Sequence, residues 1–296
     1  MAYNHENYIK QAIESVLLQN VTFTYEIVVG EDCSTDRTRS IILKYKKNLP
    51  DKFKLILHEE NVGAVKNQIE VFRNCTGKYI AMLEGDDYWT DPYKLQKQVE
   101  VLEKRQDTVM VFSNRSIIDQ EGVLINDDAV PEDYKKDLSP EQIIGSYTPP
   151  TQTVVFRREF LDDRVLKKLS EVFNGDTLLF WYIAQFGTTA FLNENTAVYR
   201  VTGKGAYSEL DYMNKLQKRI KTLDVIQQTL KTRYIKHIKK SKLIDYQRLS
   251  VIYFRNGNFR YGLGSMIKIG KVNPIYIIKT FRLLVKSILF GKTITD

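Results

Sequence analysis

The residue pattern predicts an α/β fold: a mostly parallel sheet with flanking helices, followed by a helical C-terminal extension. Three observations predict it. Short apolar runs of strand length alternate with amphipathic helical stripes through about residue 113. Acidic clusters stand just past the ends of two of those runs, the edge at which open α/β sheets bind ligands. The charge changes sign along the chain. Residues 215–296 hold 19 Lys and Arg against 3 Asp and Glu, a net +16 that leaves −8 on residues 1–214 of the +8 total.

The elements follow in order. Ile9, Ala12, Ile13, Val16 and Leu17 recur at helical spacing. Tyr25–Gly30 reads as a strand, and Ser34 or Asp36 can cap the helix that carries Ile41, Ile42 and Tyr45. Lys54–His58 is a short strand, and Asn61-Val62-Gly63 turns into a helix through Val65, Ile69 and Phe72. Tyr79–Leu83 is the next strand. Asp91-Pro92 then opens a helix to about Lys104, with Asp91 as N-cap and Pro92 at its first position. Thr108–Ser113 is again a strand. Every later helix of this series follows a strand, but the first has none ahead of it. A strand is therefore expected before Tyr3, encoded as a Val/Ile-rich segment in the upstream reading frame; a stop codon directly before Met1 would contradict this.

Glu84, Asp86 and Asp87 are three acids within four residues, set where an apolar strand stops. Hard carboxylate oxygens there suit Mg²⁺ or Mn²⁺ bridging a substrate's phosphates; a polar turn is the alternative from local sequence. Glu31 and Asp32 repeat the arrangement one strand earlier, with a capping role as the alternative. In a parallel sheet the two acid clusters and Asn61-x-Gly63 converge on one crevice, which turn chemistry alone does not explain.

Tyr3-Asn4, Glu31-Asp32-Cys33-Ser34-Thr35-Asp36, Asn61-x-Gly63, Gly77-Lys78-Tyr79-Ile80-Ala81 and Glu84-Gly85-Asp86-Asp87 closely resemble, in order, the motifs of inverting family 2 glycosyltransferases. The resemblance spans about residues 3–205. It implies a GT-A fold lacking its first β-strand, a nucleotide-sugar donor and a divalent cation, Mn²⁺ or Mg²⁺. Carried over position by position, Tyr3 lies against a uridine and Asp32 binds its uracil, through the ring N3–H. Asn61 and Gly63 line the nucleoside pocket with Lys66 beside them. Glu84 faces the ribose or sugar, and Asp86, with Asp87 as a second candidate, holds the metal. Glu84 is a longer carboxylate than the family's usual Asp.

Farther on, Ser139-Pro140-Glu141-Gln142 is a capping box, and Thr148-Pro149-Pro150-Thr151 breaks the pattern before a strand at Val154–Arg157. Asp176 precedes an apolar helix, Leu178–Phe186, and by local rules is a cap; the resemblance makes it the catalytic base that an inverting transfer needs. Trp181 and Tyr182 read as core. Tyr199–Gly205 resembles a family segment often written Tyr-Arg-x-His-Gly, with Thr202 in the histidine's place; Arg200 and Lys204 are expected on the donor's phosphates.

The expected organisation is a glycosyltransferase domain over residues 1–207, with its nucleotide half to about 113, and a basic helical region over 208–296. Two cysteines without ligand spacing and three scattered histidines exclude a disulfide framework and a histidine-built zinc site, and point to a reducing, cytoplasmic setting. The basic amphipathic tail suggests peripheral attachment to the inner face of the cytoplasmic membrane, with a helical cap as the bland alternative; no nucleic-acid motif is present. The expected reaction is transfer from a UDP-sugar to a saccharide or lipid-linked acceptor. A nucleotidyltransferase and a non-catalytic binding protein of the same fold are the alternatives.

Overall fold

The computed structural model describes residues 1–203 and 210–290, with side chains through Ser287. After an extended start, α1 (Ile9–Leu17) turns Ile9, Ala12 and Ile13 inward. Then come β1 (Ile27–Glu31), α2 (Thr38–Asn48), β2 (Phe53–Leu57) and α3 (Ala64–Asn74). β1 and β2 pair in parallel, Ile27 opposite Phe53 and Glu31 opposite Leu57. Asp36 is the acid that starts α2, its Oδ1 accepting from the Thr38 amide at 2.9 Å.

The next elements are β3 (Tyr79–Ala81), β4 (Tyr88–Trp89), α4 (Lys94–Lys104), β5 (Thr108–Asp119) and β6 (Leu124–Asn126). They are followed by α5 (Pro140–Ile143), β7 (Val155–Arg157), α6 (Asp163–Leu169), α7 (Gly175–Ala184) and β8 (Thr188–Val201). The Ser139 capping box forms as expected. Asp91 acts differently. Its Oδ1 accepts from the Tyr93 amide at 2.8 Å, closing a turn, so α4 opens at Lys94 and not at Pro92.

The larger sheet runs β3-β7-β5-β8-β4, with β6 on β5. β5 and β8 are parallel, but β7 is antiparallel to both β3 and β5, and β4 to β8. The α/β class holds, whereas this sheet is mixed and not mostly parallel. β3, β5 and β8, whose connections include helices, share one direction. The short strands β4 and β7 run against them.

The main core lies between this sheet and α7, whose residues from Thr177 to Ala184 are all buried. Trp181 and Tyr182 are core residues, and the Trp181 indole N–H donates to the Tyr147 carbonyl at 2.8 Å. The C-terminal helices are α8 (Tyr212–Thr229), α9 (Ile235–Arg255), α10 (Phe259–Val272) and α11 (Ile275–Phe290). Leu223, Ile226, Leu230, Tyr234 and Ile238 join the α7 core, so the first basic helices are packed into the α/β body. Among the described residues no helix is long and apolar enough to cross a membrane.

Candidate active site

The site is assembled around the first two residues. The Ala2 amide donates to the Gly30 carbonyl at 2.9 Å, and the Asp32 amide donates back to Ala2 at 3.0 Å. On the other side, the Gly85 amide donates to the Met1 carbonyl at 2.9 Å. The two acid-bearing strand ends thus flank Met1-Ala2. A side chain at position 85 would place Cβ 2.6 Å from His5 Nδ1 and 3.0 Å from Ile9 Cδ1, so the approach requires glycine.

On the β1 side, Glu31 and Asp32 are almost fully buried. Glu31 pairs with Arg39 and accepts from the Ser34 amide at 2.7 Å. Asp32 holds the Asn61–Gly63 turn, its two oxygens accepting from the Val62 and Gly63 amides at 2.7 and 3.0 Å. Gly63 needs its residue type, at φ +86°. Asn4 and Cys33 are the non-glycine residues at positive φ among those described, at 54° and 57°. Their loops are tied together, Ser34 Oγ accepting from the Asn4 amide and Asn4 Oδ1 from the Thr35 amide. Tyr3, next to this junction, is exposed. Lys66 is exposed on the first turn of α3.

On the β3 side, Glu84, Asp86 and Asp87 bring carboxylate oxygens within 4.8 Å of one another. Burial and the Asp86 charge push the Glu84 carboxyl up to about 7. Asp87 is raised well above the carboxylate range by burial and by Glu84, although its Oδ1 accepts from the Arg200 amide at 2.9 Å. Such crowded negative charge is under-neutralised, and three hard oxygen donors this close fit Mg²⁺ or Mn²⁺. His5 Nε2 lies 3.9 Å from Asp86, but burial lowers the imidazole's pKa, so it offers little compensating charge at neutral pH.

Asp176 faces the same field, near enough to Glu84 for its charge to raise that carboxyl. It sits in the first turn of α7, after the N-cap Asn174, with Oδ1 accepting from the Thr177 amide at 2.7 Å. Burial raises its pKa. The residue missed from the sequence is Arg115, on β5. Its guanidinium lies over the Tyr199 ring at 4.7 Å, acts electrostatically on Glu84, Asp87 and Asp176, and leaves a buried Nε without a hydrogen-bond partner.

Arg200 is placed differently from its expected role on phosphates. It is 6% exposed, donates to the Asp86 carbonyl and Gln11 Oε1 at 3.2 and 2.9 Å, and lies over the Tyr8 ring. Its guanidinium is committed to holding the acidic loop. Lys204 lies outside the described residues. Thr202 follows the end of β8.

An α/β body of this topology, with a carboxylate triplet at the sheet edge, defines the class: GT-A glycosyltransferase folds. A crystal structure of Staphylococcus aureus TarS in complex with UDP-GlcNAc superposes with a TM-score of 0.69 at 18% identity, covering 98% of this chain and 90% of that one. The mannosyltransferase PcManGT of Pyrobaculum calidifontis, in complex with GDP-Man and Mn²⁺, gives 0.61 at 15% identity, covering 96% of this chain and 78% of that one. The family model "Glycosyl transferase family 2" matches residues 1–165, and the chain belongs to that family. An uncharacterized protein of Mycobacterium tuberculosis is 33% identical over 211 residues, 70% of this chain and 59% of its own length. The poly(ribitol-phosphate) β-N-acetylglucosaminyltransferase TarS of Staphylococcus aureus is 25% identical over 221 residues, 72% of this chain and 36% of its own. The chain thus spans about three fifths of the first of these relatives.

Proposed function

We propose that the protein transfers a sugar from a nucleotide-sugar, a UDP-sugar, to a hydroxyl of a saccharide or lipid-linked acceptor with inversion, in polysaccharide or glycolipid biosynthesis. The observation that carries this reading is the convergence of the Glu84–Asp86–Asp87 triplet and Asp176 in one electrostatic field, with Arg115 among them. Tyr3, Asp32, Asn61, Gly63 and Lys66 form the nucleoside side. Asp32 presets the Asn61–Gly63 turn through its two backbone hydrogen bonds, and each of its oxygens keeps acceptor capacity for a base N–H. Glu84 faces the ribose or sugar. Asp86 and Asp87 would hold Mn²⁺ or Mg²⁺, which when bound neutralises charge on the diphosphate.

Asp176 is the base. The acceptor oxygen bonds to the anomeric carbon as the bond from that carbon to the diphosphate oxygen breaks; the acceptor proton passes to Asp176 and the nucleoside diphosphate leaves. A carboxylate made more basic by burial suits that proton transfer. Replacing Asp176 by Asn preserves shape and removes the base. Turnover in a UDP-sugar transfer assay should fall at least ~10²-fold with UDP affinity kept. Unchanged turnover would reject the assignment.

The same reading includes attachment to an anionic membrane surface. α10 and α11 expose Phe259, Tyr261, Ile267, Ile275, Ile278 and Phe281 on helices that also carry Arg260, Lys268, Lys271, Lys279 and Arg282. Apolar side chains among cations are what an interfacial helix presents to lipid.

A further inference from the structure

The Thr151–Thr153 turn, just ahead of β7, is fixed from two sides. The Trp89 indole N–H donates to the Gln152 carbonyl and Gln98 Nε2 to the Thr153 carbonyl, both at 2.8 Å. Trp89 lies on β4, two residues past the acid triplet. At its start the same stretch meets the base. Thr148 Oγ1 is 3.2 Å from Thr177 Oγ1, and the Thr177 amide donates to Asp176. These bonds tie Gln152 to the acid triplet and to Asp176 together.

The Gln152 side chain is itself 1% exposed, and its Oε1 accepts from Arg115 Nη1 at 3.4 Å. A guanidinium has only donors, so it sets the amide's orientation, with oxygen toward Arg115 and Nε2 away from it. That Nε2 has no hydrogen-bond partner within the protein, and neither has Arg115 Nε. Proteins pair nearly all their buried N–H groups. Two unpaired ones on side chains bonded to each other mark a place where a bound molecule supplies the acceptor. Arg115 also acts electrostatically on Glu84 and Asp176. In the proposed transfer the first faces the ribose or sugar and the second serves the anomeric carbon, so the group that reaches both is the sugar being transferred.

Both unpaired groups donate, so the ligand atom between them must accept. A sugar carboxylate would meet one cation here, but Glu84, Asp86, Asp87 and Asp176 outnumber Arg115 and repel a further anion. A hydroxyl satisfies every group at once. Its lone pairs take the two N–H donors, and its own proton goes to a neighbouring carboxylate. We propose, taking the nucleotide-sugar reading of the site as given, that Gln152 and Arg115 are the pair that selects the transferred sugar, their Nε2–H and Nε–H holding a hydroxyl of a neutral hexose.

The test is calorimetric titration, with Mn²⁺ present, of UDP and of UDP-glucose, UDP-galactose, UDP-GlcNAc and UDP-glucuronate into the full chain and two variants. Gln152→Met fills similar volume without hydrogen bonds. Gln152→Glu keeps the oxygen that faces Arg115 and removes only the Nε2 donor. Both variants should bind UDP as the parent does. Relative to UDP, each should hold the neutral sugar nucleotide that the parent binds best about five- to tenfold less tightly, the effect of one lost hydrogen bond. In the parent, UDP-glucuronate should bind less tightly than UDP-glucose; the reverse order would overturn the neutral class. Sugar affinities that keep their ratio to UDP in both variants would overturn the selecting role. Recovery in Gln152→Glu of what Gln152→Met loses would also overturn it, since Gln152 would then only hold Arg115. Failure of the parent to bind UDP at all would instead bring down the nucleotide-sugar reading, and this inference with it.

Discussion

Arg115 is the residue on which the electrostatics of the site turn. It is the cation that acts on Glu84, Asp87 and Asp176 together, and burial lowers its own pKa. Removing one partner of a mostly buried charge cluster leaves the others uncompensated. Arg115→Ala should therefore cost on the order of 1–3 kcal/mol of stability near neutral pH. Added Mn²⁺ should recover more of the loss than it adds to the unsubstituted protein, as thermal melts with and without the ion can check. An equal Mn²⁺ increment in both proteins would remove Arg115 from the acidic field. The sequence hides this residue. Glu84, Asp86, Asp87 and Asp32 are legible because they stand where apolar runs stop, whereas Arg115 sits inside a strand and is brought to the site by pairing with β8. Arg200 was legible as a cation but not in its use, because nothing local reveals that Tyr8 and Gln11 of α1 will enclose it.

At the scale of elements, α4 carries an unusual load at its first position. Lys94 is fully buried, donates to Gln98 Oε1 at 2.7 Å and lies 4.4 Å from the Trp89 ring. Burial lowers its pKa to about 7. In the unfolded chain it titrates near the ordinary lysine value of about 10.4, so between these limits the unfolded state binds the extra proton. Its contribution to stability therefore rises with pH from about 7 towards 10 and is flat below 7, with a slope of at most ~1.4 kcal/mol per pH unit. Lys94→Met should be more stable than the parent at pH 6.5 and should lose this rise, as denaturant midpoints from pH 6.5 to 9.5 would test. Helices and strands of the first half were largely readable from their periodicity. The reversal of β7 and β4 was not, since direction depends on how a connection returns to the sheet. Much of β8 was also concealed, because Asn193, Glu194 and Asn195 interrupt its apolar pattern with residues of low strand preference.

For the whole molecule, the sign change in charge does not coincide with a change of core. α8 and the start of α9 share the α7 core, while α10 and α11 carry the exposed apolar and basic groups. Sedimentation with vesicles should give binding that increases with anionic lipid and falls with salt, each basic group near the surface adding about 1 kcal/mol. Charge-reversing Lys279 and Arg282 together should weaken it at least tenfold. Binding indifferent to lipid charge would instead assign these helices to packing alone. The central claim is that a nucleoside diphosphate and a divalent cation meet at the acid triplet. Its most direct test is calorimetric titration of UDP, with and without Mn²⁺, into the protein and into Asp86→Ala. Binding that requires the metal and is lost in the substituted protein is the predicted result; metal-independent binding, or equal binding by Asp86→Ala, would contradict it.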